Sequence, residues 1–212
     1  MTDEKTSKTR PKIMIYLHRF REGGVERVAL NLADAWSNQE VNVTLVVAYA
    51  DGIDTLKEDR RYGLMLAPKC LWPRWLEGIW MAIWLVRCIT LAKPDVIFCP
   101  GNSYTISAIL AKIRLGQNCP PILCKISNGF SRPDLPRLVL PLYKLWLRTQ
   151  GQLIDQFVAM ADPIAQEVST YMRVDGARVL IIPDPAIDQP LLTKLDRTVG
   201  EMKPVNRRVF LS

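Results

Sequence analysis

The stretch Ile13–Trp36, I-M-I-Y-L-H-R-F-R-E-G-G-V-E-R-V-A-L-N-L-A-D-A-W, sets how the rest of the chain is read. Ile13 to Leu17 is a short apolar run, as expected of a strand covered on both faces. Gly23 and Gly24 break it. Val25, Val28, Ala29, Leu32, Ala33 and Trp36 then recur at helical spacing and make one apolar stripe. The stretch therefore predicts a strand, a glycine turn and an amphipathic helix. Glycines at such a turn let a ligand approach backbone where a Cβ would otherwise stand. The helix that follows points its unpaired N–H groups into the same crevice, where an anion is stabilised. A phosphate-facing role for Gly23 and Gly24 is one reading; a turn that any strand-to-helix connection needs is the other. The dinucleotide fingerprint G-x-G-x-x-G is absent, so the stretch does not support a nicotinamide or flavin site.

The same alternation continues downstream, without internal repeats or low-complexity runs. Val41 to Ala48, Leu64 to Ala67, Val96 to Cys99, Ile122 to Ile126, Gln156 to Met160 and Val179 to Ile182 read as further strands. Helical spacing recurs over 72–92, over 104–115 with Ile106, Ile109, Leu110 and Ile113 inward, over 135–153 with a break near Pro141, and after Asp162-Pro163. Asn102 or Ser103 is the expected N-cap of the third helix, and Asp162 that of the last. Strands alternating with helices predict an α/β fold: a doubly wound, Rossmann-like parallel sheet with helices on both faces.

At 212 residues, with 49% hydrophobic and 23% charged residues, the chain has the composition of a folded domain with a sizeable core. A net charge of +7 favours an anionic partner without choosing among nucleotide-sugar, anionic lipid and nucleic acid. The basic residues are scattered and no nucleic-acid recognition motif is present, so nucleic acid is not expected. The five cysteines are odd in number, form no C-x-x-C pair and mostly sit among apolar residues. That is the usage of buried thiols in a reducing compartment. No cluster of His, Cys, Asp and Glu has ligand spacing, so no metal is expected. The polar start lacks a secretory signal, and a cytoplasmic location is the default expectation.

The segment Trp72 to Ala92 is apolar nearly all round, with Trp72, Trp75, Trp80 and Trp84 along one side. Its uncharged run, Gly78 to Val86, is far below the roughly 20 residues a membrane span needs. A core helix with an aromatic flank is one reading. The other is an interfacial helix in which the four tryptophans, flanked by Arg74 and Arg87, face a membrane surface. Arg137, Lys144 and Arg148 beside Leu138, Leu142 and Leu145 leave the same choice open: a plain amphipathic helix, or one facing anionic lipid or an acidic acceptor.

The run Gly23 to Ala33, G-G-V-E-R-V-A-L-N-L-A, resembles the signature of the N-terminal domain of family 4 glycosyltransferases. The segments P-D-V-I-F-C-P-G-N (94–102), D-Q-F-V-A-M-A-D (155–162) and R-V-L-I-I-P-D-P (178–185) are similar to the family in the same order. The resemblance implies a two-domain nucleotide-sugar enzyme of the glycosyltransferase B fold. It implies that residues 12–189 are the acceptor-side domain, after a loose tail at 1–11. Residues 190–206 would be a linker, and 207–212 the start of a second, donor-binding domain that this chain lacks.

On that resemblance the expected function is transfer of a sugar from a nucleotide-sugar donor to a lipid-linked or polysaccharide acceptor at the inner face of the membrane. No separate cofactor is implied, and this half is expected to be inactive alone. Gly23 and Gly24 would lie on the donor-phosphate side. Arg19, Asn102, Ser127, Asn128 and Arg132 would line the acceptor crevice, because the carboxyl rim of a doubly wound sheet is where ligands bind. Family members often carry a histidine in the loop after the fifth strand. Ser127 and Asn128 stand there instead, and neither is a base at neutral pH. No catalytic residue is assigned; His18, the single histidine, is the one candidate by chemistry. The rival expectation is a non-catalytic binding module for an anionic lipid surface or a protein partner.

Overall fold

The computed structural model describes residues 10–20, 23–50, 52, 60–68, 76–132 and 135–182. Residues 1–9 of the expected tail, the expected linker and second-domain start, together with Cys70, Trp72 and Trp75, lie outside the described residues.

Among the described residues seven strands form one all-parallel sheet in the order β3-β2-β1-β4-β5-β6-β7. They are β1 (Lys12–Arg19), β2 (Asn42–Tyr49), β3 (Gly63–Leu66), β4 (Val96–Cys99), β5 (Ile122–Ile126), β6 (Gln156–Ala159) and β7 (Val179–Ile181). Five helices link them: α1 (Gly24–Asn38), α2 (Glu77–Ala92), α3 (Thr105–Leu115), α4 (Leu140–Leu153) and α5 (Asp162–Met172). The order runs outward from β1 in both directions, so β1 and β4, adjacent in space, mark the switch point. Right-handed crossovers then place α1 on one face and α2 to α5 on the other. This is the expected doubly wound architecture.

β1 is central because its sequence has no polar side to offer water. Met14, Ile15, Tyr16 and Leu17 are all fully buried. On α1, Val28, Ala29 and Ala33 are buried as their spacing predicts, and Trp36 meets Phe98 of β4 edge to face at 5.4 Å between ring centroids. Cys88, Cys99, Cys119 and Cys124 are free and buried, as expected. Burial pushes the Cys88 thiol up to about 12, so it stays protonated at neutral pH.

Tertiary packing changes several local expectations. On α3 the inward residues are Thr105, Ser107, Ala108, Ile109 and Ala111, whereas Ile106 and Ile113 are exposed. Small side chains let α3 lie close to its neighbours, and Ser107 donates to the carbonyl of Gly78 at 3.0 Å. On α2 the core side is Met81, Ala82, Leu85, Cys88 and Ile89. Trp80 and Trp84 are half-buried against that core, and Ile79, Ile83 and Leu91 are exposed instead. Neither Asn102 nor Ser103 caps α3; a 3-10 turn, Asn102–Tyr104, leads into it and its N-cap is Tyr104. Asp162 is the first helical residue of α5 rather than its cap, with Pro163 beside it. Pro141 does not break a longer helix. It sits in the first turn of α4, where its missing N–H would have no intrahelical partner anyway.

Candidate functional site

Two adjoining pockets open at the carboxyl ends of β1, β4 and β5, and both are bordered by Val25 and Ser103. The first, about 500 Å³, lies over the switch point between β1 and β4 and is lined by His18, Arg19, Gly23, Gly24, Glu26, Glu77 and Tyr104. The second, about 320 Å³, lies between the loops after β4 and β5 and helix α4.

In the first pocket the ionisable groups already hold one another. Arg19 is buried and makes a bidentate pair with Glu77: Nε donates to Oε1 at 3.1 Å and a terminal nitrogen to Oε2 at 2.8 Å. Its guanidinium also sits 5.1 Å from the centroid of the Tyr49 ring. The crevice residue expected from sequence is thus present but committed to Glu77. His18 lies against Tyr104, with ring centroids 4.5 Å apart and planes tilted by 47°, and its Nε2 lies 3.2 Å from Ser107 Oγ. Ser107 spends its proton on Gly78, so Nε2 carries the hydrogen and Nδ1 keeps the lone pair. Nδ1 is 3.7 Å from Glu77 Oε1. Burial lowers the His18 pKa; Glu77 opposes this, Arg19 reinforces it and Glu26 opposes it more weakly. The imidazole is therefore neutral at pH 7, with Nδ1 able to accept a proton.

Gly23 is the N-cap of α1 with φ −101°, so it needs no left-handed conformation, and no side chain caps the helix. A Cβ on Gly23 would collide with the carboxylate of Glu26, while a Cβ on Gly24 would enter open space. The Glu26 carboxylate accepts a hydrogen bond from Tyr104 Oη at 2.8 Å. A negative charge from the chain itself thus stands at this helix start, where the dipole favours it. An incoming phosphate would share the position with Glu26.

The second pocket brings together Asn102, Ser127, Asn128 and Arg132. Asn102 ties its two rims: Nδ2 donates to the carbonyl of Asn128 and Oδ1 accepts from the Ser127 N–H, both at 3.2 Å. Gly129 leaves room for Glu167, whose carboxylate accepts from the Phe130 N–H at 2.5 Å. Tyr143, Trp146, Leu147 and Gln150 of α4 form the opposite wall. The sequence reading did not single out Tyr143, Trp146 as a pocket wall, Gln150, Glu77, Glu26 or Tyr104. The i, i+3, i+4, i+7 spacing of Tyr143, Trp146, Leu147 and Gln150 was the available signal for α4. Trp80 and Trp84 line neither pocket; the Arg87 guanidinium lies 5.9 Å from the Trp84 ring centroid. Among the described residues no helix is long and apolar enough to cross a membrane, and no group of three metal-ligating side chains occurs.

A family model described as Glycosyltransferase Family 4 matches residues 22–186. No curated protein matches the chain in sequence. Among solved structures, a glycosyltransferase from Rickettsia africae is similar at TM-score 0.59 and 14% identity, over 93% of this chain and 51% of that one. Anabaena HepE, solved with UDP and glucose, is similar at TM-score 0.57 and 12% identity, over 90% of this chain and 50% of that one. A UDP-GlcNAc 2-epimerase from Neisseria meningitidis, bound to UDP-GlcNAc, is similar at TM-score 0.57 and 12% identity, over 91% and 55%. At such identities the likeness shows a shared fold, and transferases and epimerases both have it. The chain spans about half the length of these structures.

Proposed function

The chain belongs to glycosyltransferase family 4, and from that membership we propose that it is the acceptor-side half of a transferase that moves a sugar from a nucleotide-sugar onto a lipid-linked or polysaccharide acceptor. One observation carries the reading. Two contiguous pockets line the carboxyl rim at the switch point, and one of them is bounded by the uncapped start of α1. Gly24, open above its Cα, is the close-approach point for a donor phosphate, with Gly23 beside it. Ser127, Asn128 and Arg132 take the acceptor, and Asn102 fixes the distance between the two rims. Arg19 acts by holding Glu77 rather than by touching sugar. His18 Nδ1 is the candidate proton acceptor on this side of the cleft.

The nucleotide-sugar class is supported by HepE, which was solved with UDP and glucose. A lipid-linked acceptor is supported by α4 and the turn that leads into it. Leu138, Leu142 and Leu145 are exposed at 93%, 68% and 58%, beside the pocket wall, with Arg137, Lys144 and Arg148 along the next stripe. Catalysis in such a cleft is mostly positioning and stabilisation of the leaving phosphate. The residues of this chain line one side of such a cleft, the side read as the acceptor's, with Gly23 and Gly24 alone turned to the donor. Titration calorimetry tests this. A polyprenyl-diphosphate-linked disaccharide in detergent should bind the 212-residue chain, and UDP-glucose should bind more weakly than about 1 mM, the weak end of the affinity scale. Sugar transfer by the purified chain alone, or no binding of the disaccharide, sinks the proposal.

A second reading keeps the fold and drops the transfer: a binding module for an anionic membrane surface. The same exposed stripe of α4 favours it, together with exposed Ile79, Ile83 and Leu91 of α2 beside half-buried Trp80 and Trp84. Co-sedimentation with phosphatidylglycerol vesicles separates the two. Binding that survives Gly24→Ala and is lost on Leu142→Glu with Leu145→Glu, in a chain that captures no glycan, favours the module.

A further inference from the structure

Helices α2 and α3 meet at their N-terminal ends. A Cβ on Gly78 would strike Ile106, and Ser107 donates to the Gly78 carbonyl at 3.0 Å. An open groove of about 290 Å³ runs between the two helices and shares no residue with either rim pocket. Its lining is Ile79, Ala82, Ile83 and Val86 of α2 with Leu110 and Arg114 of α3. The four α2 residues follow i, i+3, i+4, i+7 and so form one stripe. Ile83 is 50% exposed and Ile113, on the next turn of α3 after Leu110, is 63% exposed; Ile79 and Ile106 are exposed beside them. Apolar residues scattered singly on a surface mean little, but a contiguous stripe across two helices marks a binding surface.

Charge identifies what covers it. From Gly78 to Asn118 the chain carries Arg87, Lys93, Lys112 and Arg114 against a single acid, Asp95. Asp95 accepts from the Lys12 backbone N–H, and Lys112 is paired with Asp155. Arg87 and Arg114 are both exposed. Arg114 is the one polar side chain on the groove lining, and Arg87 follows Val86 with its guanidinium 5.9 Å from the Trp84 ring centroid. A second copy of this chain is a poor cover. A two-fold contact brings the same face together and would set arginine against arginine with no acid between them. An anionic bilayer fits both parts of the pattern: acyl chains meet the isoleucines, and lipid phosphates meet guanidinium groups at the boundary.

We infer that the α2–α3 groove seats one acyl chain of an anionic phospholipid, with the lipid phosphate on Arg114 and the exposed isoleucines of both helices set into the bilayer surface. The inference rests on the reading that this chain meets an anionic membrane, and it gives that contact a particular lipid site separate from the α4 stripe.

Co-sedimentation of the 212-residue chain with phosphatidylglycerol vesicles tests it, with phosphatidylcholine vesicles as the reference. The unaltered chain should bind the anionic vesicles about tenfold more tightly or better. Arg87→Gln with Arg114→Gln should remove roughly fivefold for each charge, about 25-fold together. Ile83→Ser with Ile113→Ser, both at exposed positions, should weaken binding about tenfold or more. Val86→Trp separates a seat from a flat contact. Tryptophan favours a membrane interface, so a flat contact would bind more tightly. A groove filled by the indole admits no acyl chain, and binding should instead fall about fivefold, on the general loss of buried apolar area.

The inference is overturned if the chain ignores phosphatidylglycerol vesicles, if it binds phosphatidylcholine equally well, or if folded Val86→Trp binds as tightly as the parent. Should Val86→Trp not fold, parental affinity in the double serine variant overturns it. A dimer in solution that the double serine variant breaks also overturns it, since the face is then covered by a second copy. Binding lost on Leu142→Glu with Leu145→Glu but kept in the double serine variant leaves the membrane reading on α4 and sinks the groove. Binding that needs Ile83 and Ile113 and survives the α4 changes supports the groove and removes α4 from the membrane contact.

Discussion

The two pockets on the carboxyl rim differ in how their polar groups are satisfied. Over β1 and β4, Arg19 holds Glu77, His18 meets Ser107 and Tyr104 holds Glu26. Beside β5 and α4, Gln150 Oε1 and Ser127 Oγ are buried with nothing to bind. The first region is stabilised by its own charges and its geometry is set before any ligand arrives. The second keeps two buried polar atoms whose desolvation no hydrogen bond offsets. A pocket's polarity alone therefore says little about its role; the satisfaction of its buried atoms says more.

The sharpest way to break this contrast is to unpair the first pocket. Glu77→Ala leaves the buried Arg19 without its bidentate carboxylate. Loss of one partner of a buried pair costs about 3–5 kcal/mol, and urea denaturation should show a loss near the lower figure because Glu77 is partly exposed. An unchanged midpoint would mean that the Arg19–Glu77 pair is no more than a surface ion pair. Next in size is Tyr104→Phe, which removes the hydrogen bond to Glu26. A bond to a charged group contributes about 1.5–3 kcal/mol, and a similar fall in unfolding free energy is expected.

A smaller effect comes from protons. The His18 pKa is lowered in the folded chain, chiefly by burial. The unfolded chain therefore binds the proton more readily, and stability rises with pH. This contribution is complete above the ordinary imidazole value of about 6.5 and is lost as pH falls from there through the folded value. Comparing His18→Gln with the parent in urea across pH 4.5 to 8 should show the parent losing stability relative to the variant on acidification; a pH-independent difference would show His18 to be unperturbed. The smallest effect is expected at Gly24→Ala. The site has open space and no positive φ, so stability should stay within about 0.5 kcal/mol of the parent or improve. A larger loss would mean that the bare backbone is needed for folding rather than for a ligand.

Much of this molecule was legible in one dimension. The apolar run 13–17, the stripe from Val25 to Trp36, and the apolar strand segments and helical spacings downstream pointed to the seven strands and five helices of the described residues. Each of these is a local pattern whose period follows from backbone geometry. Where the reading went wrong, a neighbour had overruled the pattern. Ile106 and Ile113 have helical spacing, yet α3 turns its serine and alanines inward because α2 lies close against it. Asn102 has the chemistry of a cap, yet its amide is used across 25 residues to hold Ser127.

The candidate site divides in the same way. Residues at strand ends, His18, Arg19, Asn102, Ser127 and Asn128, could be placed on the carboxyl rim from sequence, since strand direction and alternation locate the ends of strands. Which of them were already engaged could not, because Glu77, Glu26 and Tyr104 reach them from distant parts of the chain. Gln150 was hidden inside a helix of ordinary composition. Sequence alone determined the elements, the parallel sheet and the family, all of which rest on local periodicity and short motifs. Only the tertiary structure decided which polar atoms are paired, because pairing depends on distances between segments that sequence order does not record.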